Sequence, residues 1–164
     1  MFTGADTNRD GWISMEEAKK ARDSANMAVG AVIVRNGEIR ARGHNEVSST
    51  FDITAHAEAT AIRSLTTGRR QLNTGSQADS GPFAGAVLYA TMEPCPMCCW
   101  LACITGLSAM VLGARHSDLG IPFGQYSVEK LISLSERRIR LVTGVLTQEC
   151  IQMCRSGPFQ AGPR

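Results

Sequence analysis

Two short stretches hold the side chains whose types and spacing go beyond packing: His56-Ala57-Glu58 and Pro94-Cys95-Pro96-Met97-Cys98. One imidazole and two thiolates form a borderline-to-soft donor set, which suits zinc. A Cys-x-x-Cys at a helix start brings both sulfurs to one side of the first turn. The positive end of the helix also favours the thiolates that bind metal. Three protein donors leave one tetrahedral position open, the mark of a zinc that does chemistry, since structural sites close with four. Glu58, two residues beyond the imidazole, can sit beside the metal without ligating it, take a proton from water and deliver it elsewhere. Read singly, the Cys-x-x-Cys is also half of a structural zinc site or a redox pair, and a lone histidine is also a cap or core residue. Their order, each at the start of a helix, points to a hydrolytic zinc centre.

These residues need a scaffold, and the chain alternates strand and helix patterns. Val29–Arg35 is a nearly continuous apolar strand, Asn36-Gly37 a hairpin turn, and Glu38–His44 the antiparallel return strand. Ala55–Leu65 reads as a helix, Ala86–Thr91 as a buried strand, Pro96–Thr105 as an apolar helix ended by Gly106, and Ala109–Ala114 as another strand. Val128–Ser135 and a last segment N-capped by Thr147 read as helices, with a fifth strand over Ile139–Val145. Ser14–Ala25 reads as a first helix whose Ser14 and Glu17 fit a capping box. Strands joined through helices pair in parallel with right-handed crossovers. The expected fold is α/β: a mixed five-stranded sheet sandwiched between helices, with an antiparallel hairpin at its edge.

Other features give way to plainer readings. Asp6, Asn8, Asp10, Gly11, Ile13, Ser14 and Glu17 fall at the positions of an EF-hand loop. The entering helix and a second hand are missing, so a helix start is expected there. Cys99, Cys103, Cys150 and Cys154 read as small buried apolar residues. Arg69, Arg70, Arg137, Arg138 and Arg140 read as solvated faces. His44 and His116 suit either the pocket mouth or packing. The 96–105 helix has almost no polar face, which predicts cover by a second chain, a homodimer with Trp100 or a neighbour near its interface.

The 164 residues, 43% hydrophobic and 20% charged, fit one domain over 1–164 with loose ends at 1–13 and 157–164. A net charge of +2 is too weak for a general nucleic-acid coat. No apolar run approaches a membrane span and no secretory signal is visible. The six cysteines then read as reduced thiols of a cytoplasmic protein. The segment from Thr67 to Gly85 reads as a long surface loop; it or the C-terminal tail is expected to supply a lid.

The ordered pattern H-x-E…P-C-x-x-C resembles the cytidine deaminase-like zinc deaminase superfamily. Within it the chain looks most like the branch of tRNA adenosine deaminases, guanine deaminases and fungal-type cytosine deaminases. Gly30–Val34, Gly43-His44-Asn45, Thr54–Glu58, Thr91–Cys98 and Gly144–Cys150 carry the similarity. The resemblance implies a three-layer α/β/α sandwich in which His56, Cys95 and Cys98 hold one zinc per chain and Glu58 shuttles the proton. It further implies that Asn45 hydrogen-bonds the base or its sugar, and that backbone around Ala57 and Cys95 helps hold the ring. Ala28-Val29-Gly30, without the proline frequent in that strand, and the bulky Cys99-Trp100 pair depart from the pattern. The expected function is hydrolytic removal of the exocyclic amine of a small nucleobase or nucleoside, such as guanine or cytosine. The alternatives are a tRNA adenosine deaminase making inosine and a non-catalytic zinc-stabilised binding module.

Overall fold

The computed structural model describes residues 10–67 and 81–158. Asn36 and Gly37 both take positive φ, 55° and 75°, the turn geometry that matches strand twist. They fold β1 (Gly30–Arg35) back onto β2 (Glu38–His44). With β3 (Val87–Met92), β4 (Ala109–Ala114) and β5 (Arg140–Val142) they form one five-stranded sheet in the order β2-β1-β3-β4-β5. β1 is antiparallel to both of its neighbours, whereas β3, β4 and β5 run parallel. This is the mixed sheet expected from the sequence.

Alternation along β1 serves both faces of the sheet. Ala31 and Ile33 join the larger core with Leu88, Ala90, Met110 and Leu112. Val32 and Val34 pack with Tyr89, Val111 and the half-buried Ile13. Two helices approach so closely that no side chain fits between. A Cβ on Gly30 would run into Ser14 O and Ala18 N of α1 (Asp10–Asp23). One on Gly43 would run into Ala57 O and Ala61 N of α3 (Ala57–Thr66). Because Gly43 faces Ala31 and Gly30 faces His44, adjacent positions along each strand, α1 and α3 lie on opposite faces. α4 (Pro96–Thr105) packs against α3 and α6 (Val128–Leu134), and α7 (Thr147–Arg155) against β4 and α1. The result is three layers.

The N-terminal expectations change. α1 begins by Asp10, so Ser14 lies inside the helix and no capping box exists there. Burial explains it. Met15, Ala18 and Ala21 face the core, and Glu17 is buried with its carboxylate 2.7 Å from Lys20 Nζ and 3.5 Å from both Arg42 Nη1 and His44 Nδ1. A helix over 10–17 cannot wrap a cation as an EF-hand loop does, and residues 10–13 are not a loose end; Asp6 and Asn8 lie outside the described residues.

Elsewhere the changes are local. β5 has three residues, not seven, because Gly144 and Leu146, at φ 84° and 53°, turn the chain into α7. The N-cap of α7 is Leu146. Thr147 is the first helical residue, and its hydroxyl donates to Gly113 O at 3.2 Å. α2 (Val47–Thr50) and α5 (His116–Leu119) are single turns too short to show a period. Most of the long loop, 68–80, lies outside the described residues. Among the described residues no helix is long and apolar enough to cross a membrane.

Candidate metal and active site

The sheet topology brings four strand ends to one edge: the start of β1 and the ends of β2, β3 and β4. Ligands of open α/β sheets bind at such an edge, outside the carboxyl ends of the parallel strands. Two helices begin there. His56 is the N-cap of α3, extended at φ −71° and ψ 156°. Cys95 is the N-cap of α4, also extended, and Pro96 at the first helical position is pre-set for the helix. Cys98 lies within the first turn of α4, so both sulfurs reach the same side.

His56 Nδ1 lies 3.5 Å from Cys95 Sγ, and one donor atom each of His56, Cys95 and Cys98 lie within 4.8 Å of one another. Zinc at ~2.1 Å from nitrogen and ~2.3 Å from sulfur sets a tetrahedral N···S separation of roughly 3.6 Å. The donor set therefore fits one zinc ion in both chemistry and spacing. Its hydrogen bond with Cys95 raises the His56 pKa. The hydrogen bond from Cys98 pulls the Cys95 thiol down to about 4, and Cys98, which gives that bond and is buried, is pushed up. A divalent cation favours both thiolates.

Glu58, in the first turn of α3, is 3% exposed, and burial pushes its carboxyl up to about 7. A group poised there can take and give a proton near neutrality. It is not among the clustered metal donors. A cavity of about 510 Å³ opens over the site, lined by Asn45, His56, Ala57, Glu58 and Cys95 among others. Asn45 follows β2. Its backbone N–H donates to Val29 O at 3.0 Å, and its Oδ1 accepts from Val47 N at 3.2 Å. That leaves the amide NH2 as its donor.

All six residues singled out in the sequence thus meet at one edge. His116 lines the cavity, with its imidazole held neutral-leaning by burial and its ring centroid 4.7 Å from that of Phe123 at a 51° tilt. His44 does not line it and pairs instead with Glu17 and Glu46, at 3.5 Å and 3.3 Å. Cys99, Cys103, Cys150 and Cys154 are buried in the core, as expected. Sequence reasoning missed Glu93, Ile121, Pro122 and Phe123 in the cavity wall. Adjacency to Pro94-Cys95 was an available signal for Glu93. The 121–123 stretch carries no period or motif that could have marked it. Pro158, at the start of the C-terminal tail, also reaches the cavity, where Gly157 packs against Asn26 and Ala28.

A His/Cys/Cys donor set with a buried glutamate beside it, at the carboxyl ends of the parallel strands of a three-layer α/β/α fold, is the arrangement expected of the zinc deaminase superfamily. The chain belongs to the family of the cytidine and deoxycytidylate deaminase zinc-binding region, whose model matches residues 12–114. It is 35% identical over 145 residues to the tRNA-specific adenosine deaminase of Bacillus subtilis (strain 168), covering 84% of this chain and 79% of that one. It is 41% identical over 107 residues to the chloroplastic tRNA(adenine(34)) deaminase of Arabidopsis thaliana. That match covers 65% of this chain but 8% of the plant protein's length. In structure it resembles a chain from work on A-to-I editing by tRNA:A34 deaminases, with TM-score 0.70, 25% identity and coverage of 88% of this chain and 98% of that one.

Proposed function

We propose that the protein hydrolytically deaminates adenosine within tRNA, making inosine. The observation that carries the chemistry is the buried Glu58 beside the His56, Cys95 and Cys98 donors at the floor of the cavity. The relatives named above support the substrate class.

His56, Cys95 and Cys98 hold the zinc, which when bound supplies the acidification of water that hydrolysis at neutral pH requires. Glu58 accepts a proton from the attacking water. It returns that proton to the ring nitrogen beside the carbon bearing the exocyclic amine. It then takes the proton of the hydroxyl now on that carbon and passes it to the amine, so that the carbonyl forms as the C–N bond breaks and ammonia departs. Asn45 orients the base or its sugar through its amide NH2. The backbone at Ala57 and Cys95 helps hold the ring. The apolar walls at Met27, Val29 and Phe123 exclude water from the reacting face. A second copy of the chain covers the outward side of α4, where Met97, Trp100 and Ile104 stand exposed in one i, i+3, i+7 stripe.

One observation favours a second reading, turnover of a free base or nucleoside: no lysine or arginine lines the cavity among the described residues. A polynucleotide substrate brings phosphates that basic side chains normally meet. Ammonia release and inosine formation, measured on zinc-loaded protein with free bases, nucleosides and tRNA, decide between the two. Inosine in tRNA, lost on Glu58→Ala, is the expected result. Turnover of a free base with no inosine in tRNA would transfer the assignment to the small substrate. No turnover of any substrate by zinc-loaded protein would leave a zinc-stabilised binding module.

A further inference from the structure

The loop that delivers Cys95 is held by Ala114, Arg115 and His116 and, ten residues on, by Tyr126. Glu93 is buried. Its backbone N–H donates to Ala114 O at 2.8 Å, while its Oε2 accepts from His116 N at 2.9 Å and lies 3.0 Å from Arg115 Nε. Arg115 in turn donates through both terminal nitrogens to the carboxylate of Glu129, at 2.9 Å and 3.0 Å. Pro94, fully buried, has no N–H, so its carbonyl is its one backbone polar group. That carbonyl accepts a hydrogen bond of 2.6 Å from the Tyr126 hydroxyl. Burial raises the phenol's pKa, so it stays a neutral donor.

The Pro94 carbonyl belongs to the peptide plane that enters Cys95. Fixing its oxygen fixes the rotation of that plane, and with it the direction from which Cys95 leaves the backbone. We propose that Tyr126 is a positioning residue for the metal loop, setting through the Pro94 carbonyl the angle at which the Cys95 thiolate meets the metal. The inference rests on the assignment of Cys95 as a ligand. It gives the 121–126 stretch two duties: Ile121, Pro122 and Phe123 wall the cavity, and Tyr126 aligns a ligand. Outer-shell hydrogen bonds act on metal sites in this way, orienting the ligand without touching the ion.

Tyr126→Phe removes one oxygen and keeps the ring that packs 6.0 Å from Phe123 and 6.1 Å from His116. Phe123→Leu disturbs the same packing and leaves the hydrogen bond in place. Two readouts are needed: the rate of zinc release to a chromogenic chelator, and the visible spectrum of the cobalt-substituted protein, whose thiolate-to-cobalt bands report the angle and distance of the sulfurs. Tyr126→Phe is expected to release zinc about tenfold faster, the lower end of the effect of outer-shell changes, and to shift the cobalt bands. Phe123→Leu is expected to do neither. Unchanged release from Tyr126→Phe, or faster release with an unshifted cobalt spectrum, would overturn the proposal. So would an equal effect of Phe123→Leu, which would assign metal retention to packing. If wild-type protein binds neither zinc nor cobalt, the ligand assignment itself is wrong, an outcome distinct from a wild type that binds metal and a Tyr126→Phe that matches it.

Discussion

His56 Nδ1 and Cys95 Sγ stand 3.5 Å apart although the two residues lie 39 positions apart in the chain. Each is the N-cap of its helix, and each helix starts at the same edge of the sheet. The candidate metal site is thus a meeting of two helix N-termini.

The first expected consequence concerns the ion. Purified protein should contain one zinc per chain by elemental analysis. Cys95→Ser or Cys98→Ser should lose it, because an alcohol is a far poorer zinc ligand than a thiolate. Chelation of the wild type should lower its melting temperature, since an ion bound only by the folded chain stabilises it by mass action. Cys95→Ser protein that kept stoichiometric zinc would remove Cys95 from the ligand set.

Glu58 separates chemistry from binding. Glu58→Gln keeps the volume of the side chain but cannot accept the proton. Turnover should fall by a factor on the order of 10²–10⁴ while zinc content is unchanged. Activity within a few-fold of wild type would assign the proton to another group.

The close approach at Gly43 is open to test by one methyl group. A Cβ there meets Ala57 O and Ala61 N, backbone atoms that cannot swing aside. Gly43→Ala should cost about 1–3 kcal/mol in urea unfolding, the usual scale of overpacking. It should also lower activity, because Ala57 lies between His56 and Glu58. An unfolding midpoint equal to wild type would show that α3 tolerates displacement from β2.

The proposed dimer rests on the outer stripe of α4. Light scattering at micromolar concentration should give a dimer, and Trp100→Glu should shift it to monomer, since a charge at a buried apolar contact is strongly disfavoured. Trp100 is 44% exposed in the single chain and does not line the cavity, so the variant's zinc content should hold. A monomeric wild type would remove the second copy from the proposed function.

The chain's own pattern went a long way. β4 and α4 occupy the residues expected for them, and β1, β3 and α3 agree within two residues at each end. Apolar runs bounded by turn residues mark buried strands, and proline and glycine mark where α4 begins and ends. The candidate donors and Glu58 stand out in the sequence because metal chemistry restricts residue type and because each sits beside a helix start. The N-terminus was misread for the opposite reason. Ser14 and Glu17 satisfy two local templates, a capping box and a cation loop, while the burial of Met15, Ala18 and Ala21 against the sheet carries the helix back to Asp10.

What the sequence by itself determined is the local pattern: which side chains have the types and spacing of a metal donor set with a carboxylate beside it, and which segments are strand or helix. What the tertiary structure decided is company. It placed Asn45 and His116 in the cavity, sent His44 to Glu17 and Glu46, and set the Tyr126 hydroxyl on the Pro94 carbonyl. Those contacts join segments distant in sequence, and their partners come from strand order and from the close approach of helices at Gly30 and Gly43. A local pattern records the propensity of its own segment. It does not record which other segment the sheet will bring against it, because that depends on packing across the whole core.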